Sequence, residues 1–153
     1  MMSSRFLLAV FAILSFSGCD HYRMPYRYEI PKGYKGWLFI IWERPEATRL
    51  PVEQNQVIIR FPPDGVVKTS SSELHGWATD DYYWILPDGS QEHLGTTGSS
   101  LVNGQGAGTM NPGLNQQVKF SYFYVGDDYL PTMTQDASLE TALKTAGLSS
   151  KTQ

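Results

Sequence analysis

The sequence predicts an all-β fold, an antiparallel β-sandwich of the immunoglobulin or transthyretin-like kind, finished by a short C-terminal helix. Three observations point there. Aromatic residues make up 13% of the 153 positions, including nine Tyr and four Trp, and such side chains suit the pleated surface of a sheet. Gly and Pro recur at short intervals and cut the chain into strand-length pieces. Helical periodicity is confined to the C-terminal segment, where Leu139, Ala142, Leu143 and Ala146 share one face.

Taken in order, Ile30–Gly36 is a turn, and Trp37–Trp42 follows as the strongest strand. Both of its alternating faces are apolar, so it is expected at the centre of a sheet covered on both sides. Pro45 and Pro51 bracket a loop. Gln56–Phe61 then sets Val57, Ile59 and Phe61 on one face, with Ile58 and Arg60 on the other. Pro62-Pro63-Asp64-Gly65 is a turn into the short strand Val66–Thr69. Tyr82–Leu86, Pro87–Ser90 and Gln91–Leu94 read as a hairpin, and Val118–Val125 as the last strand. Residues 95–113 hold six glycines among Thr, Ser and Asn, which predicts a mobile loop. Asp136 is positioned to cap a helix over 137–146 that Gly147 ends.

The first residues carry a different message. Arg5 precedes the uncharged run Phe6–Phe16, and the small residues Ser17 and Gly18 precede Cys19. This is the three-part layout of an export signal, and the run falls well short of the roughly 20 residues that span a bilayer. Ser17-Gly18-Cys19 resembles the lipobox of bacterial lipoproteins, although Phe16 stands where a small aliphatic residue is usual. The resemblance implies cleavage between Gly18 and Cys19 and acylation of the Cys19 sulfur. Asp20 resembles the residue that retains such proteins at the inner membrane, with the outer membrane as the alternative. The expected organisation is a signal peptide at 1–18, a lipidated tether at 19–27, a sandwich over 28–130 and a C-terminal segment at 131–153. The expected location is the bacterial cell envelope, lipid-anchored on the periplasmic face.

Composition narrows the rest. Cys19 is the single cysteine, so the exported domain relies on packing without disulfides. The net charge of −3 becomes one unit more negative once Arg5 is removed, which argues against nucleic acid as a partner. Beyond the signal no apolar run reaches membrane-spanning length, so the membrane is engaged through lipid alone.

Motifs for chemistry are weak. Glu73-x-His75 offers two metal ligands, but no third stands at a recognisable spacing, so neither metal nor cofactor is expected. Ser70-Ser71-Ser72, His75, Asp80 and Asp81 contain the residue types of a catalytic triad, yet lack a nucleophile elbow and read as a polar loop. Asp80-Asp81 and Asp127-Asp128 are adjacent pairs that point to opposite faces on a strand. Asn103–Gly108 lacks the Gly-Lys-Ser/Thr ending of a phosphate loop. Among the tryptophans, Trp37, Trp42 and Trp84 sit in apolar stretches, whereas Trp77 lies in a turn-rich one. Trp77 and His75 are the candidate ligand contacts.

Ile30-Pro31-Lys32-Gly33-Tyr34-Lys35-Gly36, Phe61–Thr69 with its Pro62–Gly65 turn, and Tyr82-Tyr83 before Pro87-Asp88-Gly89 together resemble an uncharacterised family of small bacterial lipoproteins, a domain of unknown function. The likeness spans roughly Tyr28–Leu94 and brings no catalytic or binding residues with it. The functional expectation is a non-enzymatic, membrane-tethered module that binds an envelope protein or wall component. The alternatives are an accessory subunit of an envelope or secretion machine and a wall- or lipid-directed hydrolase using His75.

Overall fold

The computed structural model describes residues 21–97, 99–113, 116–127 and 135–148. Among them the chain forms nine strands and one helix: β1 (Tyr26–Pro31), β2 (Gly36–Trp42), β3 (Val52–Glu53), β4 (Gln56–Arg60), β5 (Val66–Lys68), β6 (Asp81–Ile85), β7 (Gln91–Thr96), β8 (Val102–Gly113), β9 (Gln116–Val125) and α1 (Gln135–Thr145). The strands make two sheets, ordered β3-β4-β1-β6-β7 and β5-β2-β9-β8. The sheets face each other across a core of Tyr26, Tyr28, Ile30, Leu38, Ile40, Trp42, Val57, Ile59, Phe61, Tyr82, Phe123 and Val125. The sandwich with its terminal helix is the architecture that the sequence predicts.

Strand pairing departs from the antiparallel expectation. β1 runs parallel to both β4 and β6, and β2 runs parallel to β5, while β2–β9, β6–β7 and β8–β9 are antiparallel. The cause lies in the connections. Parallel neighbours need a crossover between them, and here the crossover is a strand of the opposite sheet. β2 carries the chain from β1 to β4, and β4 carries it from β2 to β5.

β2 is a central strand buried on both faces, as its composition demands. Leu38, Ile40 and Trp42 enter the core between the sheets. Trp37, Phe39 and Ile41 point outward, where Leu139, Ala142, Leu143, Ala146 and Leu148 of the helical segment cover them. α1 begins at Gln135, so Asp136 stands in its first turn and not at the cap. The helix ends at Gly147, with hydrogen bonds from Leu148 N–H to Leu143 O (2.8 Å) and from Gly147 N–H to Lys144 O (3.0 Å). That pair of bonds is a Schellman cap.

The expected mobile loop at 95–113 is instead mostly strand. β7 runs to Thr96, and β8 pairs with β9 along most of its length. The glycines serve ring packing. A Cβ at Gly106 would lie 2.5 Å from the Tyr122 hydroxyl, and one at Gly108 would lie 2.9 Å from Phe120 Cζ. The β9 aromatics therefore occupy the space that β8 side chains would fill, an arrangement known to shield glycine in strands. Pro112 is tolerated because β8 is an edge strand. Pro45–Pro51 is a loop as expected, and β3, which follows it, pairs with β4 through Gln54-Asn55, both at positive φ. At the N-terminal side, Tyr26 and Arg27 belong to β1, so the sheet starts earlier than the expected boundary at 28.

In an open strand a Gly-to-Val change favours the sheet. Gly106→Val and Gly108→Val are each expected to cost about 1–3 kcal/mol because the added side chain displaces a packed ring. A urea midpoint at or above that of the unaltered protein would refute the ring-packing account.

Candidate functional site

A cleft of about 310 Å³ opens between the sheets at the end where β1 begins. Its walls come from segments far apart in sequence: Arg23 and Tyr26 ahead of and in β1, Glu73 and Leu74 from the β5–β6 connection, Asp80 and Tyr82 at β6, Gln105 on β8 and Ser121 on β9.

The charged element is a clamp. Arg23 donates from both terminal nitrogens to the Asp80 carboxylate, at 2.8 and 2.7 Å. Asp80 also accepts the Tyr26 backbone N–H at 2.8 Å. Both side chains are largely buried, and the hydrogen bond to Asp80 holds the Arg23 guanidinium pKa above its ordinary value. Arg23 further lies 4.6 Å over the Tyr26 ring.

The remaining polar groups are phenols and amides. Leu74 N–H donates to the Tyr26 hydroxyl at 2.6 Å, and Gln105 Nε2 donates to the Tyr82 hydroxyl at 3.0 Å across the two sheets. Gln105 reaches inward because β8 carries a bulge between Asn103 and Gly106, a device that re-aims side chains. Trp42 Nε1 donates to Ser121 Oγ at 2.8 Å. Burial pushes the Tyr26 phenol up to about 12 and raises the Tyr28 and Tyr82 phenols well above their ordinary value, so the three remain neutral hydroxyls near pH 7. Tyr28 stacks on Tyr82 at 4.7 Å and meets Phe123 edge-on at 5.1 Å, which fixes the cleft floor.

The two candidate contacts, Trp77 and His75, lie just outside this cleft on the same connection as Glu73 and Leu74, and both are exposed. Trp77 forms an isolated parallel bridge with Tyr22: Trp77 N–H donates to His21 O (2.9 Å) and Arg23 N–H donates to Trp77 O (3.1 Å). Gly76 permits that approach, since a Cβ there would lie 2.2 Å from His21 O. The structure does not assemble His75, the serines and Asp80 into a relay. Asp80 is engaged by Arg23, and Ser71 Oγ accepts the Leu50 N–H at 3.0 Å. Asp81 turns to the opposite side of the sheet from Asp80, toward Gln56 Nε2 (2.8 Å) and His93 (3.6 Å). Asp127 pairs with Lys35 at 2.8 Å. Among the described residues no group of three or more His, Cys, Asp and Glu side chains is placed to hold a metal ion. No helix among them is long and apolar enough to cross a membrane. Residues 1–20, with Gly18, Cys19 and Asp20 among them, lie outside the described residues, as does Asp128.

Two comparisons place this architecture among known proteins. Residues 23–133 match a family described as "Family of unknown function (DUF6843)", a longer stretch than the resemblance over Tyr28–Leu94. The fold is similar to the crystal structure of a protein from Bacillus anthracis described as a "Putative Lipoprotein", with a TM-score of 0.67 at 20% identity over 82% of this chain and 94% of that one. No curated protein matches the sequence.

Two outcomes follow from the clamp and its surroundings. Asp80→Asn leaves the Arg23 charge without its counter-ion in a largely buried place, and is expected to cost about 3 kcal/mol of stability. Amide exchange at Tyr26, measured by NMR, would accelerate with it. Glu73 is half-buried, and desolvation raises its pKa above the ordinary carboxyl value of 4.5. The folded state therefore holds this proton more tightly than the unfolded chain, so stability falls as pH rises from 4.5 through the raised value. Glu73→Gln is expected to melt higher than the unaltered protein at pH 7, with the gap closing below pH 4.5. A constant gap across that range would show that the carboxylate charge is not its cause.

Proposed function

The chain belongs to this DUF6843 family, and on that premise we propose that it is a lipid-anchored, non-enzymatic binding module of the bacterial envelope. Acylation of Cys19 after cleavage behind Gly18 supplies the anchor, and the cleft between the sheets supplies the recognition site. Asp20 favours the periplasmic face of the inner membrane. The name carried by the Bacillus anthracis structure is in keeping with this reading.

The carrying observation is the character of the cleft. Its interior presents neutral hydroxyl and amide groups, Tyr26, Tyr82, Gln105 and Ser121, beside aromatic surface; the Arg23–Asp80 pair is internally compensated, and Glu73 adds a half-buried carboxylate to the wall. Such a lining suits a ligand rich in hydroxyl and amide groups, held by hydrogen bonds and ring contact. Wall glycan with its attached peptide has that chemistry and is within reach of a protein tethered to the membrane.

The reading is tested in two steps. Cells fed a labelled fatty acid should label the natural protein and leave Cys19→Ala unlabelled; an unlabelled natural protein removes the anchor. Purified peptidoglycan should retain the protein, and Gln105→Ala should weaken retention about tenfold, the loss expected for one or two hydrogen bonds at roughly 1.4 kcal/mol. Equal retention of both forms would remove the cleft from the account.

A further inference from the structure

Four large hydrophobic side chains are exposed among the described residues: Tyr22, Val52, Leu74 and Trp77. Three of them sit at the end of the molecule where β1 begins. Tyr22 and Trp77 are 75% and 72% exposed, and the same isolated bridge holds their backbones together. Leu74 lies on the same connection as Trp77, with its N–H bonded to the Tyr26 hydroxyl in the cleft wall. Tyrosine and tryptophan are the residues enriched where membrane meets water, because each joins an apolar ring to a polar group.

From this we propose that Tyr22 and Trp77, outside the cleft, form a docking face that seats in the lipid headgroup layer and sets the orientation of the domain on the membrane. The inference rests on the acylation of Cys19 proposed above. Chain length then leaves little freedom. Three Cα-to-Cα steps lead from Cys19 to Tyr22, a reach of at most about 11 Å, less than the radius of gyration of about 14 Å expected for a domain of this size. The headgroup layer is itself about 5–7 Å deep on each side of the bilayer. With the Cys19 lipid in the membrane, Tyr22 lies at or near that layer whatever path residues 19–21 follow, and the bridge brings Trp77 with it.

Charge fits an aromatic, not an electrostatic, mode of contact. The nearest cation, Arg23, is neutralised by Asp80, and Glu73 is half-buried alongside. The segments that carry the patch, residues 20–26 and 72–79, hold a single Lys or Arg, Arg23, where selection of anionic lipid takes a cluster. The bridge spares the membrane the task of ordering this loop, since two backbone hydrogen bonds already fix it.

The test uses the full chain expressed in a bacterium, purified in detergent and reconstituted into vesicles of phosphatidylethanolamine and phosphatidylglycerol. Part of the lipid carries brominated acyl chains, which quench tryptophan on contact. Trp37 and Trp42 are buried, so Trp77→Phe identifies the contribution of Trp77 by difference. Because Trp77 is exposed, the replacement should leave the near-ultraviolet circular dichroism of the core aromatics in place. Docking is expected to make Trp77 fluorescence quenchable by the brominated lipid and to protect it from aqueous iodide. Both effects should vanish in Trp77→Phe.

Fatty-acid label is counted on the same sample. Labelled protein whose Trp77 stays open to iodide and is unquenched by bromine overturns the docking face and leaves the anchor standing. Labelled protein whose Trp77 is shielded from iodide yet unquenched by lipid assigns the patch to a second copy of the chain and likewise overturns it. Unlabelled protein overturns the anchor and the docking face with it.

Discussion

The Asp80 carboxylate is the point on which the N-terminal end of the molecule is organised. It receives two hydrogen bonds from Arg23 and one from the Tyr26 backbone. It thereby fixes the segment before β1, the first residue of β1 and the entrance to β6 in a single arrangement. Charge-assisted, bidentate geometry of this kind offsets the several kcal/mol that withdrawing two ions from water costs. With Asp80 in place, β1 enters the middle of its sheet, the Tyr28–Tyr82 stack forms beneath, and the cleft acquires its shape.

The parts of this fold that were legible are those decided within a short window. Trp37–Trp42 shows two apolar faces because one meets the opposing sheet and the other meets α1. Pro87-Asp88-Gly89-Ser90 announces the β6–β7 hairpin because the turn chemistry is local, with Leu86 N–H bonded to Ser90 O. Gly147 ends the helix for the same kind of reason. Parallel pairing was hidden, since no strand records which sheet its successor will join. β3 was hidden as well, because its turn rests on Gln54-Asn55 without the glycine that usually marks such a turn.

Residues 95–113 are the most instructive case. Glycine content alone reads as flexibility, yet Gly104, Gly106 and Gly108 alternate with Gln105, Ala107 and Thr109 at the period of a strand. That alternation was the available signal, and its meaning depended on Phe120 and Tyr122 arriving from β9. The candidate site was legible only at its rim. Trp77 stood out through its turn-rich neighbourhood, but Tyr22 did not, because nothing in the sequence says that it meets Trp77. Gln105, Tyr82, Arg23 and Asp80 converge from separate elements, and convergence of that kind is a property of topology.

The position of β1 has a mechanical consequence. It is the first strand among the described residues, and both of its edges carry ladders, to β4 on one side and β6 on the other. A force applied through the N-terminus and resisted at the far end of the domain runs along the axis of β1. It loads the rungs of both ladders together in shear, where the same force on an edge strand pulled sideways would break them one at a time. β1 therefore meets such a load through both ladders at once.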